Sequence, residues 1–397
     1  MPEPAAAGAS SGPEPVRAST SPGRLTVEFG GDLGLRPDDT AAHDALIAGR
    51  PQTGVFLSNA WLSGLFAEPP AGFEPSLVVL REAGTLRGMV PIAIRETRTC
   101  VRVAMLGGGL GSDRVDLLAA RGFEPACADA FLSWVTEWLG ARGFVLELRD
   151  VPGESPLWGA IHRAGAERQP PLVLEPREIH ALPYLDLAED RSLANGATSP
   201  VPGPGSLNKH RRWLERRGRL RIETLQGADE VMAAFESLVQ LLHARWGLRG
   251  GWSALDEGRA QRFHRHVLPL LLRAGHLRMI RLSADSRTIA VYYGLASGRW
   301  WGYYLAGYDR EWAGRIHLGQ VALAAAIDLA SQEGATEFDF LKGAERVKYL
   351  WPVRERVTVD ADVYSARSAA QFQRATRAGR NMAVALAKSA HGLFSTR

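Results

Sequence analysis

The sequence predicts a mixed α+β (mixed α/β) fold made of two tandem units, each a mainly antiparallel sheet flanked by helices. The same order of helical and strand-like periodicities occurs twice along 397 residues, a length that suits two domains. Ala197–Ser206, with three prolines and two glycines, separates the two passes. With 46% hydrophobic and 23% charged residues, the chain has the composition of a soluble protein with real cores.

The first pass consists of alternating helical and extended segments. It predicts a helix over Leu57–Glu68, strands over Leu77–Glu82, Leu86–Ile94, Val101–Leu106 and Arg114–Leu118, a helix over Pro125–Ala141 and a strand over Phe144–Arg149. Ala83-Gly84 supplies the turn between the first two strands.

The second pass repeats this order after the linker. It predicts a helix over Ala228–Trp246, strands over Leu277–Leu282, Thr288–Leu295 and Arg299–Tyr304, a helix over Leu318–Glu333 and a strand over Thr336–Leu341. Gly334 has the residue type expected just beyond a helix C-terminus.

These patterns divide the chain into five segments. We expect a disordered leader (1–24), a first unit (25–190), a Pro/Gly linker (191–206), a second unit (207–365) and a basic tail (366–397). The leader lacks the basic start and apolar run of a signal peptide, and no apolar stretch of about 18 residues predicts a spanning helix. Two isolated cysteines give neither a disulfide framework nor a zinc spacing, which favours the reducing cytoplasm and no metal.

Positive charge is concentrated in two places. Lys209–Arg221 has seven basic residues and one acidic residue, and Arg367–Arg397 has six basic residues and none that is acidic. Each segment suits a phosphate-bearing or anionic partner, or is simply a solvated helix face. For the tail we expect contact with an anionic membrane, which would place the protein peripherally at the inner membrane surface.

The loop before the second-pass helix can hold an anion. The helix from Leu318 is almost entirely apolar, so its N-terminal amides should point into a loop with Gly314, Arg315 and Gly319. Glycines allow a ligand to approach the backbone, and Arg315 adds charge. An ordinary glycine loop with a surface arginine is the other interpretation.

Lysine is used unusually in the segment EFDFLKGAERVKYLWP. Two of the four lysines in the chain, Lys342 and Lys348, lie here, against 43 arginines overall. A carboxylate buried in the aromatic strand would need a partner, and we predict that Asp339 pairs with Lys348. The pair serves either to fix the strand end or to carry chemistry.

Two motifs resemble a known superfamily. Arg315-Ile316-His317-Leu318-Gly319 is similar to the Arg/Gln-x-x-Gly-x-Gly/Ala loop of GNAT acyltransferases, without the middle glycine. DFLKGAERVKYLW resembles the signature DFL-(Arg/Lys)-G-x-E-x-(Tyr)-K-x-x-W of the double-GNAT branch of the cellulose-biosynthesis (CelD/BcsL) type, which is related to Fem-type transferases. Val347 departs from this signature, since an aromatic residue commonly precedes the lysine.

The resemblance implies an N-acyltransferase that moves an acyl group, typically acetyl, from acetyl-CoA or another acyl-CoA to an amine. The strand before the donor loop, Tyr303–Leu305, would contact the oxyanion. The residues implied for donor binding are Tyr304, Leu305, Gly314, Arg315, Gly319 and Gln320. The residues implied for catalysis are Asp339, Glu345, Lys348 and Tyr349, with Asp339 and Glu345 as bases, Tyr349 as acid and His243 as a further base candidate.

The acceptor implied by this reading is an amine on a small molecule, a glycan or a peptide. The first unit, in which GGGLG does not open a helix, would be degenerate and would line the acceptor side. Two alternatives remain. A Fem-like enzyme would take its acyl group from aminoacyl-tRNA, with the basic segment on RNA phosphates. A non-catalytic adaptor of a polysaccharide-synthesis complex would use neither donor.

Overall fold

The computed structural model of the protein describes residues 25–31, 35–109, 111–139, 142–167, 172–189, 220–246, 258–313 and 318–365, together with residues 216 and 255. The leader, the linker and the basic tail predicted from the sequence lie outside these residues, as does most of the basic segment 209–221. The proposed boundaries between the five segments therefore stay a prediction.

The described residues form thirteen strands and nine α-helices. The helices are α1 (Thr40–Gly49), α2 (Pro51–Gly54), α3 (Asn59–Ala67), α4 (Glu124–Leu139), α5 (Pro156–Glu167), α6 (Ala228–Trp246), α7 (Gly258–Arg273), α8 (Arg310–Ala313) and α9 (Leu318–Gln332). The strands are β1 (Thr26–Gly30), β2 (Glu74–Glu82), β3 (Thr85–Glu96), β4 (Val101–Met105), β5 (Leu118–Ala119), β6 (Phe144–Pro152), β7 (Val173–Asp186), β8 (Arg221–Thr224), β9 (Leu277–Ala284), β10 (Arg287–Ser297), β11 (Trp300–Tyr308), β12 (Glu337–Asp339) and β13 (Arg354–Tyr364).

All thirteen strands belong to one mixed sheet, so the predicted α+β class is confirmed. The order is β1-β2-β3-β4-β6-β13-β7-β12-β11-β10-β9-β8, with β5 on β3. Among the described strands, only β4–β6 and β11–β12 pair in parallel. Each half of the chain therefore contributes one parallel pair within an otherwise antiparallel sheet.

The two halves of the chain exchange strands at the centre of the sheet. The last strand, β13, lies between β6 and β7 and pairs antiparallel with both. β7 in turn pairs with β12 of the second half. The halves thus share a continuous ladder of backbone hydrogen bonds and do not meet merely through side chains.

Most segments with a clear period are found where the sequence predicts them. α6 has the predicted bounds, and the turn between β9 and β10 uses positive φ angles at Asp285 and Ser286. The predicted strand Arg114–Leu118 is wrong, because regular pairing is confined to Leu118–Ala119. The sequence analysis also missed the exchanged strands β7 and β13, whose partners lie far away along the chain.

A shared core joins the halves below the sheet. Helix α3 of the first half packs against α7 of the second, and a Cβ on Gly64 would lie 2.3 Å from Val267 Cγ1. Trp61 and Phe263 meet edge to face at 5.0 Å in this contact. Glycine is required here by close helix approach. Within the described part of the chain, no helix combines the length and apolar character needed to cross a bilayer.

A buried carboxylate stabilises the exchanged strands. Asp362 on β13 is fully buried and pairs with Arg149 on β6 at 2.6 Å and with Arg177 on β7 at 2.8 Å. One carboxylate therefore joins three adjacent strands. A buried charge with excellent partners is expensive to orphan, although the intact group need not add net stability.

We expect Asp362→Asn to lower the free energy of unfolding by about 3–5 kcal/mol, because Arg149 would lose its anionic partner and Arg177 would keep only Glu175 among the described carboxylates. Urea unfolding followed by circular dichroism measures this change. Asp129→Asn is the matched control, since its pair with Arg163 is about half exposed on both sides and should be worth about 0–1 kcal/mol. Equal losses in the two variants would contradict a special role for the buried carboxylate.

Candidate active site

The two parallel strands of the second half separate and leave a gap. β11 pairs with β12 only through Trp300–Gly302, and then β11 continues to Tyr308 while β12 ends at Asp339. The β10–β11 register shifts beside Tyr293, so that Tyr304 is the extra residue of a bulge. The predicted oxyanion stretch Tyr303–Leu305 therefore lies on an edge with no β12 partner.

The start of helix α9, which the sequence predicts as a donor site, packs against Tyr308 at the end of β11. A Cβ on Gly319 would lie 3.1 Å from the Tyr308 ring, so this turn of the helix has little room for a side chain. Gln320 is buried. It accepts a hydrogen bond from Trp351 Nε1 at 3.1 Å and donates to the Val347 carbonyl at 3.3 Å, so its side chain already has structural partners. The predicted ligands Gly314 and Arg315 lie outside the described residues.

Asp339 is fully buried and stabilises the end of β12. Its Oδ1 accepts from the Leu341 amide at 2.8 Å, and Oδ2 accepts from Trp300 Nε1 at 3.4 Å. The Leu341 backbone has φ of 57°, a left-handed conformation that is unusual for leucine. The carboxylate therefore stabilises a strained turn directly before Lys342.

The predicted Asp339–Lys348 pair is wrong. Lys348 Nζ donates to the carbonyl oxygens of Lys342 at 2.8 Å and Gly343 at 3.2 Å, and it pairs with Glu345 at 2.8 Å. An ammonium has three donors, and here the carbonyls of its own turn saturate them. Lys348 thus stabilises the loop after β12 through contacts within that loop. The nearest cation to Asp339 among the described residues is Arg356, at 3.9 Å.

Of the other predicted catalytic residues, Glu345 contacts Lys348, whereas Tyr349 has a different partner. Glu345 is exposed apart from its contact with Lys348, and Tyr349 is 40% exposed with its hydroxyl donated to Glu355. That hydrogen bond raises the pKa of Tyr349. His243 is exposed on α6. Asp339, Glu345, Lys348 and Tyr349 therefore do not converge on one point, and their catalytic roles stay a prediction.

A different lysine brings the two halves together. Lys342 Nζ lies 2.6 Å from Asp150 Oδ1, at the end of β6, and the Lys342 amide donates to Asp113 Oδ2 at 3.2 Å. Asp150 has φ of 56° and also accepts from the Gly109 amide at 2.9 Å. Lys342, which follows β12, is thus bound to two aspartates of the first half. Asp113 belongs to the GGGLGSD loop, and Asp150 accepts a hydrogen bond from Gly109 of that loop.

Asp113 has the electrostatics of a proton acceptor. It is half-buried, and burial raises its pKa to about 6, with the charge of Asp150 adding to the rise and the Lys342 amide opposing it. Tyr304, in the β11 bulge, donates its hydroxyl to the Gly111 carbonyl at 2.8 Å. Burial, the neighbouring Tyr293 and the charge of Asp113 raise the pKa of Tyr304 well above its usual value.

An aromatic cluster holds this loop against β11. Trp61 Nε1 donates to Ser112 Oγ at 2.8 Å, and its ring meets Tyr304 edge to face at 5.5 Å. His264 packs against both aromatic rings, and burial lowers its pKa to about 3, so the imidazole is neutral. The position of Asp113 relative to Tyr304 is therefore fixed by packing.

One group with metal-ligand chemistry occurs among the described residues. Single ligand atoms of Asp150, His180 and Asp360 lie within 4.8 Å of one another. Asp150 already receives Lys342 and the Gly109 amide, and Asp360 Oδ1 accepts from the Asp150 amide at 2.8 Å. The ammonium of Lys342 thus already supplies the positive charge at this position, and we assign no metal there.

Sequence reasoning found Lys342 as a motif residue but gave it no role, and it missed Asp113 and Asp150. The rarity of lysine in this chain was the usable signal for Lys342. Asp113 follows a glycine run that was dismissed because it opens no helix. Nothing local in the sequence indicates that this loop crosses to the other half.

Comparison with known families places these features in context. Residues 205–349 match the family model described as the acetyltransferase (GNAT) domain. No curated protein matches the sequence.

Solved structures with the same fold are very different in sequence. A structure titled FemX superposes with a TM-score of 0.55 at 11% identity, covering 80% of this chain and 95% of that one. A conserved protein of unknown function from Bacteroides thetaiotaomicron gives 0.54 at 11% identity over 85% and 99% of the two chains. L-PGS from Bacillus licheniformis gives 0.50 at 12% identity over 86% and 97%. The chain therefore has a GNAT-type acyltransferase fold, and the matched domain contains β11, α9 and most of the loop after β12.

Proposed function

We propose that the protein is an N-acyltransferase that moves an acyl group from acyl-CoA, with acetyl-CoA as the first candidate, to an amine acceptor. The observation that carries this proposal is the position of Lys342 and Asp113 beside the separated strands β11 and β12. The amine acceptor belongs to the small-molecule, glycan or peptide classes. A role in polysaccharide or cell-envelope metabolism, as in the CelD/BcsL branch, is part of the same proposal.

The donor would lie in the gap between β11 and β12. Its pyrophosphate would meet the amides at the start of α9, and Gly314 and Arg315 are the residues proposed to complete this contact. Its thioester carbonyl would face the free edge at Tyr304 and Leu305. The ammonium of Lys342, which is 32% exposed, is proposed to share in charge stabilisation at this edge.

The reaction needs one base and one source of positive charge. The acceptor nitrogen attacks the thioester carbon, and Asp113 takes the proton released from that nitrogen. Negative charge that develops on the carbonyl oxygen is stabilised by the β11 amides and by Lys342. The carbon–sulfur bond then breaks, and the thiolate of CoA leaves and takes up a proton. A base with a pKa near 6 is mostly ionised at neutral pH and is therefore competent there.

Because the fold is similar to that of FemX, we retain a second candidate for the acyl donor, an aminoacyl-tRNA. The gap between β11 and β12 would then hold an aminoacyl ester in place of a thioester. Titration with CoA and with aminoacyl-tRNA separates the two. In either case we retain the proposal that the basic tail contacts an anionic membrane surface.

Gly319→Val should weaken CoA binding at least tenfold, because the β-branched side chain would fill the mouth of the donor site beside Tyr308. Isothermal titration calorimetry gives the dissociation constant. Gly258→Val is the matched control at the start of α7, where a Cβ meets only the end of Arg262 at 3.5 Å. CoA affinity that survives in Gly319→Val would move the donor site elsewhere.

Lys342→Met should reduce turnover by about 10²–10³, as loss of one oxyanion-stabilising donor does. It also removes the cation from the buried Asp150, so part of any loss could come from instability. The double variant Lys342→Met/Asp150→Asn removes that orphaned charge. We expect it to regain thermal stability without regaining turnover in a thiol-release assay. Recovery of turnover together with stability would assign Lys342 a structural role only.

The pH dependence of kcat/KM should follow the ionisation of the Asp113 carboxyl. Its raised pKa means that the carboxyl is protonated below about pH 6, so kcat/KM should rise with pH through this value and level off above it. Asp113→Asn should lower the rate and remove this acidic limb. The measurement is kcat/KM for thiol release between pH 5 and pH 8. The ionic strength is held constant, and the stability of each variant is checked at each pH. An unchanged acidic limb in Asp113→Asn would exclude this residue as the base.

A further inference from the structure

We propose that Arg114, in the first half of the chain, binds an oxyanion of the acceptor, a carboxylate or a phosphate, and that Glu154 occupies this position in the free protein. The inference rests on the proposed function, because it describes which amines that active site would accept. It adds a substrate class that the fold does not specify.

Arg114 is a buried cation with unused hydrogen-bond donors. Its side chain is 3% exposed, and its only ion pair among the described residues is with Glu154, where Nη2 lies 2.6 Å from Oε1. Nε and Nη1 are buried and have no hydrogen-bond partner among the residues that the structure describes. Buried guanidinium groups normally have their donors satisfied, so two unsatisfied donors on one arginine indicate a missing acceptor.

Neighbouring charges do not fill this role. Asp116, two residues on, is fully buried, and its carboxylate already accepts from Arg50 at 2.9 Å, Ser155 at 2.6 Å and the Leu117 amide at 2.8 Å. Two arginines therefore lie around one buried aspartate, and the second arginine depends on Glu154. Of the two carboxylates that balance these arginines, only Asp116 is buried.

Glu154 is suited to leave. Its side chain is 61% exposed, in the turn between β6 and α5, whereas the guanidinium that it contacts is buried. A solvent-facing carboxylate regains its hydration when it moves into water, and an anionic ligand in its place would keep the buried guanidinium paired. A ligand carboxylate or phosphate could replace it and use the free donors as well, and guanidinium groups favour these planar or multidentate anions.

The position of Arg114 connects it to the proposed reaction. It directly follows Asp113, which contacts Lys342, and the adjacent Val115 amide donates to the Asp150 carbonyl at 2.9 Å. The proposal places the amine of an acceptor held by Arg114 near Asp113, the neighbouring residue. Positioning of this kind uses binding energy remote from the reacting atoms to align them.

The test uses two anions, inorganic phosphate and acetate, titrated into the full-length protein by isothermal titration calorimetry. Glu154→Gln should bind at least one of them about tenfold more tightly than the wild type, because the competing carboxylate is gone. Arg114→Gln should bind it at least tenfold more weakly. Preference for phosphate over acetate identifies a phosphorylated acceptor, and the reverse preference identifies a carboxylated one.

Glu96→Gln serves as the matched control, since Glu96 is 65% exposed and pairs with Arg142, which is itself half exposed. It should leave both affinities unchanged. If Arg114→Gln does not fold, Glu154→Gln decides alone. Unchanged affinity for both anions in folded Glu154→Gln would overturn the assignment of Arg114. Failure of CoA to bind the wild type would instead overturn the proposed function, so the two failures are distinguishable.

Discussion

The insertion of β13 between β6 and β7 is the constraint on which the rest of the structure depends. Because the last strand of the second half completes the sheet of the first half, the ends of β6 and β12 are brought to one region. Asp150 lies near the end of β6 and Lys342 follows β12, and their ion pair at 2.6 Å closes the junction. Neither half of the sequence contains both residues. The proposed active site is therefore a property of the exchanged sheet.

The polar residues after β12 divide into two groups by burial and by partners. Asp339 and Lys348 are almost completely buried, and every short contact that they make is with the turn itself or with residues that support it. Substituting either one would orphan buried polar groups, at a cost of several kcal/mol. Lys342 is one-third exposed and faces the other half. Asp339 and Lys348 thus stabilise the turn, and the turn positions Lys342 toward the other half.

Sequence patterns were sufficient for the local elements of this fold and insufficient for their assembly. α6 and α9 could be predicted because their apolar residues recur at helical spacing. The motif DFLKG contains Lys342, which has a role in the proposed reaction. β7 and β13 could not, because their pairing depends on partners more than a hundred residues away. The same limit affected the site. Asp113 has no local signature, and its pKa is raised mainly by burial, which the sequence does not show.

In the proposed reaction, the charges around Lys342 couple oxyanion stabilisation by this lysine to proton acceptance by Asp113. Asp150 raises the proton affinity of Asp113, and Lys342 opposes this effect. When the ammonium turns from Asp150 toward an oxyanion on the thioester, Asp150 retains the Gly109 amide but loses its nearest cation. The negative charge left on Asp150 then favours protonation of Asp113 at the moment when the acceptor nitrogen releases its proton. Oxyanion stabilisation and proton transfer would thus reinforce each other through one shared lysine.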